Sequence, residues 1–147
     1  MVLYGNEKDI SSWMELVNTV KQEFPGLETE TAIEEHKETV LKFMKDKRAL
    51  CVKECEKIAG VLLISKKHNM ICCLAVLPEY RKQGIGSALV EAALNDLDRT
   101  KNITVSTFRE GDIKGIAPRR LYKKYGFTEG ELTEEFGYPN QVFVLSP

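Results

Sequence analysis

The sequence predicts a mixed α/β sheet, and three observations carry that expectation. Extended apolar runs and segments with apolar residues at helical spacing follow one another in the order β-α-α-β-β-β-α-β-α-β-β along the 147 residues. One extended run, Met70–Leu77, is almost wholly apolar, which suits a strand covered on both faces. A basic loop with two glycines, Arg81-Lys82-Gln83-Gly84-Ile85-Gly86-Ser87, then leads straight into a helix. That junction presents free backbone N–H groups at a helix N-terminus, a ready site for a phosphate.

The elements follow in order. A short strand, Val2–Tyr4, precedes a helix from about Asp9, whose Ile10, Trp13, Leu16, Val17 and Val20 share one side. Phe24-Pro25-Gly26-Leu27 breaks it. Thr29 or Thr31 opens a second helix, and Glu34 completes a capping box if Thr31 is the cap. Strands are expected at Ala49–Val52, Ile58–Ser65 and Met70–Leu77, with a polar turn at 66–69 between the last two. The helix from about Gly84 to Asp98 is small and apolar apart from a stripe of Ser87, Glu91, Asn95 and Asp98, so it packs on the sheet. After a strand at Ile103–Phe108, the last helix has Pro118 near its start and Gly126 past its end. Phe127–Leu132 and Gln141–Leu145 close the chain as extended segments, with Thr133–Asn140 read as a loop.

Composition narrows the function classes. A chain of this length with 43% hydrophobic and 29% charged residues fits one soluble domain, residues 1–147. Its net charge of −1 gives no bulk attraction to nucleic acid or to anionic membranes, so phosphate recognition must be local. No run spans a bilayer and no signal peptide opens the chain, which makes a cytoplasmic location the expectation. The four cysteines lack histidines at metal-ligand spacing and read as reduced, mostly buried thiols rather than a metal site.

Arg81 and Lys82 carry the wrong sign for a helix start, where they oppose the macrodipole unless an anion arrives. A Walker A loop would need a lysine after its second glycine, and Gly86 is followed by Ser87. A dinucleotide fingerprint would need a third glycine where Leu89 stands, and would sit near the start of a β-α-β unit. The longer pattern is more specific. Val76-x-Pro78-x-Tyr80-Arg81-x-x-Gly84-x-Gly86-Ser87-x-Leu89 resembles the acyl-CoA-binding motif of the GNAT N-acetyltransferases. Leu121-Tyr122-x-x-Tyr125-Gly126-Phe127 resembles the second signature of that family, and the element order matches along essentially the whole chain.

The resemblance implies a mostly antiparallel GNAT-type sheet flanked by helices, acetyl-CoA as acyl donor, and transfer to a primary amine by direct attack in a ternary complex. By the same resemblance, Arg81, Lys82, Gln83, Gly84, Ile85, Gly86 and Ser87 hold the CoA pyrophosphate, largely through backbone amides. The backbone of Leu74 and Val76 holds the pantetheine and thioester, with Leu74 N–H polarising the acyl carbonyl. Tyr122 matches the general acid for the departing thiolate, leaving Tyr125 as the core tyrosine. The glutamate that some relatives place on the strand occupied here by Cys72–Leu74 is missing. Glu110, Asp112, Glu134, Glu135 or water are then the alternatives for the base. The asparagine that many relatives carry seven residues before the tyrosine is Gly115 here.

The acceptor implied is a small-molecule or peptide amine. Acidic and aromatic residues in the segments 24–29 and 133–140 lean it toward a cationic amine, and family members often form homodimers. A catalytically idle acyl-CoA sensor on the same fold is the alternative. A nucleophilic Cys72 or Cys73 lacks a marked base beside it.

Overall fold

The computed structural model describes residues 1–147. Its seven strands are β1 (Val2–Tyr4), β2 (Ala49–Glu54), β3 (Lys57–Ser65), β4 (Met70–Val76), β5 (Ile103–Phe108), β6 (Thr128–Glu135) and β7 (Tyr138–Leu145). The helices are α1 (Ile10–Val20), α2 (Glu30–Lys45), α3 (Ile85–Asp96) and α4 (Ile116–Lys124). The strands form one sheet in the order β1-β2-β3-β4-β5-β7-β6. Every neighbouring pair is antiparallel except β4 and β5, which run parallel.

Strand alternation in β3 explains the layering. Leu62 and Ile64 face α3 and join Leu89, Ile103 and Phe143 in one core. Val61 and Leu63 face the opposite way and pack with Trp13, Leu16 and Val40 from α1 and α2. Each large aliphatic side chain buried this way contributes about 1.5–3 kcal/mol. Gly60 sets the height of α3, because a Cβ there would fall 2.6 Å from Ile85 and 3.0 Å from Leu89. At the far end Arg119 ties α4 to the sheet. It donates to Phe108 O at 3.0 Å, Gln141 Oε1 at 2.8 Å and Glu129 at 2.9 Å.

Several expectations need correction. Thr29 is the cap of α2, its hydroxyl accepting from Ala32 N at 3.0 Å, while Thr31 lies inside the helix, so the Thr31–Glu34 box does not form. The segment 133–140 is a hairpin, not a loop. β6 runs to Glu135, β7 starts at Tyr138, and Phe136 and Gly137 turn the chain with φ of 52° and 79°. Two successive left-handed residues make the two-residue turn that suits strand twist; a phenylalanine in the first place hides the usual Asn-Gly signal. Of the cysteines only Cys51 is buried; Cys55 and Cys72 are exposed and Cys73 is intermediate.

β4 is the most informative departure. The strand buried along nearly its whole length is β3, whereas Cys72, Cys73, Leu74 and Val76 of β4 are all partly open. The apolar character of β4 therefore belongs to the wall of a cleft rather than to a doubly covered strand.

Candidate functional site

β4 and β5 pair only at Met70–Thr104 and Ile71–Val105, and beyond that point they separate. The gap opens into a cleft of about 810 Å³. A bulge in β4 leaves Cys72 without a partner, since Cys73 pairs Leu63 and Ile71 pairs Ile64. Past the bulge the direction of each backbone group follows from the ladder. Leu77 N donates to Ala59 O at 2.8 Å, so Ala75 and Cys73 continue the bonded pairs with β3. Leu74 and Val76 fall between them, and their N–H and C=O groups point to the open edge. Val76 O confirms the direction by accepting from Arg81 Nε at 2.9 Å, across that edge.

The loop after β4 ends at an exposed helix start. Gly84 is the residue before α3, with φ of 82° and no side chain capping the first turn. Ala88 N finds Gly84 O, which leaves the N–H groups of Ile85, Gly86 and Ser87 as the unpaired donors that a helix start always has. Lys82 is also left-handed, at φ 65°, a conformation that costs a residue with a side chain about 1–2 kcal/mol. Arg81, Lys82, Gly84, Ile85, Gly86 and Ser87 all line the cleft; Gln83 is exposed and lies outside its wall. Gly86 has a packing reason as well, because a Cβ there would sit 3.2 Å from Leu121 of α4.

Arg81 is already engaged. Its guanidinium donates to both oxygens of Glu23, at 2.9 and 3.0 Å, tying the basic loop to the 3-10 turn that follows α1. Both side chains are 42% exposed, a setting in which ion pairs contribute about 0.2–1 kcal/mol. Sequence reasoning missed Glu23, and it also missed Lys114, Arg120 and Lys124, which join Arg81 and Lys82 on the cleft wall. Five cations against Glu23 and Glu135 make the cleft electropositive in a chain of net charge −1. The i, i+4 spacing of Arg120 and Lys124 was the available signal.

Burial separates the two tyrosines differently from expectation, with Tyr122 rather than Tyr125 in the core. Tyr122 is buried, 4% exposed, and packs against Phe127 and Phe143, yet it reaches the cleft. Loss of solvent, and secondarily the neighbouring Cys73 thiol, pushes its phenol well above the ordinary value near 10. Tyr125 is half-buried and donates to Glu91 at 2.9 Å and to Ser87 O at 3.2 Å. Although both line the open edge of β4, the apolar surroundings of their thiols raise Cys72 and push Cys73 up to about 12, which disfavours a nucleophilic thiolate at either.

Of the four carboxylates considered as bases, only Glu135 lines the cleft. Asp112 accepts from Tyr138 Oη at 2.8 Å and from Lys114 N at 3.0 Å, while Glu110 and Glu134 are exposed outside the wall. Beside Glu135, Phe136 at the hairpin turn leans over Gly26, where a Cβ would fall 2.6 Å from its ring. Phe24, Pro25 and Phe136 thus arch over this end of the cleft. Asn140, 5% exposed, lines the same end with its Oδ1 unpartnered, and Thr133 Oγ1 directly across the ladder is a second orphan. Leaving such a group unmade costs about 1–3 kcal/mol. Gly115, at the place of the expected asparagine, is buried against Phe108 and Arg119 and offers no side chain.

The donor set fits a CoA thioester: unpaired N–H groups and cations where phosphates would lie, and an apolar channel edged by main-chain donors. Comparisons with known proteins identify the family. Residues 45–129 match the family model described as acetyltransferase (GNAT) domain. An N-alpha-acetyltransferase of Sulfurisphaera tokodaii is 31% identical over 74 residues, which span 50% of this chain and 42% of that protein. A GNAT-family acetyltransferase from Bacillus cereus superposes with a TM-score of 0.76 at 18% identity, covering 99% of this chain and 96% of that one. The PaiA N-acetyltransferase of Thermoplasma acidophilum, solved with coenzyme A, gives 0.75 at 17% identity over 100% and 98%. The fold, the cleft and the family match converge, and the chain belongs to the GNAT acetyltransferase family.

Proposed function

We propose that the protein transfers an acetyl group from acetyl-CoA to a primary amine by direct attack, with donor and acceptor bound together. The observation that carries this reading is the continuous donor wall: main-chain N–H groups of Leu74 and Val76 on the open edge of β4, followed by the uncapped first turn of α3.

When bound, acetyl-CoA supplies an activated acyl carbon. The N–H groups of Ile85, Gly86 and Ser87 would hold its pyrophosphate, with Lys82 and Lys124 adding charge. Leu74 N–H would donate to the acyl oxygen as charge builds there, a contact worth about 3–4 kcal/mol in such sites. As the amine nitrogen bonds to that carbon and the C–S bond breaks, Glu135 takes the amine proton. Tyr122 donates to the departing sulfur. Complete transfer from a phenol above 10 to a thiol near 8.5 is uphill, so Tyr122 acts chiefly as a hydrogen-bond donor that lowers the barrier.

The test combines binding and turnover. CoA should raise the melting temperature, and a panel of amines, amino acids and peptides should include at least one acetylated acceptor. CoA binding with no transfer to any member would favour the idle sensor, and no CoA binding would end the reading altogether.

A further inference from the structure

We propose that a side pocket off the cleft binds a carboxylate carried by the acceptor, with Lys114 and Lys21 as the residues that select it. The inference rests on the acyl-transfer reading and adds the chemical class of the acceptor.

The pocket, of about 350 Å³, shares Phe24, Phe108 and Lys114 with the cleft. Those shared residues join the two spaces, so an acceptor in the cleft can place a substituent in the pocket. Phe108 and Tyr138 stack edge to face at 5.5 Å and, with Phe24, give the pocket its apolar walls. Two cations reach it from segments far apart in sequence. Lys21 comes from the 3-10 turn after α1, and Lys114 from the 3-10 turn before α4.

Neither ammonium pairs with a carboxylate of the chain. Lys114 is placed by other contacts. Its backbone N–H donates to Asp112 Oδ1 at 3.0 Å, and its Nζ lies 5.1 Å from the Tyr138 ring and 5.9 Å from that of Phe108. Ring faces orient an ammonium and leave its N–H donors open. The neighbouring carboxylates are already engaged: Asp112 Oδ2 accepts from Tyr138 Oη at 2.8 Å, and Glu28 Oε1 from Gly26 N at 3.1 Å. Two cations against Glu28 leave the pocket wall with one net positive charge, which a single carboxylate neutralises and a phosphate dianion exceeds. A polyamine or aminoglycoside, favoured by the composition of segments 24–29 and 133–140, would instead bring further positive charge against both lysines.

The test measures kcat/KM for two matched pairs of acceptors. Ala-Glu-Ala-amide against Ala-Gln-Ala-amide reads a side-chain carboxylate, and Ala-Ala against Ala-Ala-amide reads a terminal one. At least one pair should favour the acid by about fivefold. Lys114→Ala should bring that preference to within about twofold, Lys114→Arg should retain it, and Lys114→Glu should reverse it. Melting curves and calorimetry with CoA check that each variant folds and binds the donor. A lysine that only supports the pocket wall would lower both members of a pair equally and leave their ratio unchanged. No preference for the acid in either pair, or an undiminished preference in Lys114→Glu, would overturn the assignment. Transfer to spermidine ahead of all four peptides would also overturn it while leaving acyl transfer intact. CoA binding with transfer to none of these amines would count against both readings.

Discussion

Along one wall of the cleft, from Leu74 to Ser87, the polar groups on offer are main-chain N–H groups set out by a splayed strand and a helix start. Along the other, from Glu23 and Phe24 across to Glu135 and Asn140, they are side chains delivered by separate segments of the fold. The first wall depends on backbone shape, so it tolerates few residues at the turn and leaves a compact motif. The second depends on which side chains happen to converge, and nothing in local spacing announces it. Under the proposed acyl transfer, a shared donor and a private acceptor follow from such a division.

The sharpest way to break the donor wall is to leave its fold intact and reverse its charge. Ser87→Asp places a carboxylate in the first turn of α3, where it complements the helix dipole but repels a phosphate. CoA affinity, measured by calorimetry, should fall about 10²-fold or more while the melting temperature is unchanged or higher. A parallel loss of stability and affinity would instead assign the turn a purely structural role.

Next in size is Tyr122→Phe, which keeps the packing against Phe127 and Phe143 and removes only the hydroxyl. Turnover should fall about 10²-fold with acetyl-CoA KM nearly constant. The pH dependence follows from the same residue. Its phenol is held above 10 and must be protonated to donate, so ionisation of Tyr122 should cause no alkaline decline in kcat up to about pH 10. A decline centred between 8 and 9 that vanishes in Tyr122→Phe would contradict this.

On the acceptor wall, Glu135→Gln should lower kcat/KM about tenfold at pH 7. The deficit should shrink as rising pH deprotonates the amine without help. A deficit that stays constant through pH 9.5 would remove Glu135 as the proton acceptor. The smallest effect concerns the contact between the walls. Glu23→Gln releases Arg81 from its carboxylate partner, and CoA affinity should then rise a few-fold, in line with an exposed pair of about 0.2–1 kcal/mol. Weaker CoA binding would mean that Glu23 holds Arg81 in its binding position rather than competing for it.

These contrasts explain what was legible in the sequence. The helix start at Gly84–Ser87 and the strand before it were readable because close backbone approach restricts residue type at fixed spacing. The burial of β4 was misjudged for a physical reason: a cleft that takes an apolar arm needs the same residues as a covered strand. The β6–β7 hairpin was concealed by Phe136 in a left-handed position where Asn or Gly is usual. The burial of Tyr122 rather than Tyr125 depends on packing against Phe127 and Phe143, and helical spacing does not carry that information. Glu23 and Asn140 became visible only when the turn after α1 and strand β7, far apart in sequence, met at one cleft.

The central claim is that the donor is held by backbone amides of β4 and the α3 start. The most direct measurement is a titration of the uniformly ¹⁵N-labelled protein with CoA, following every amide. The account predicts that the largest perturbations fall on Leu74, Val76, Ile85, Gly86 and Ser87, with α2 silent. Perturbations confined to the Lys114–Asn140 end, with the first turn of α3 unmoved, would contradict it.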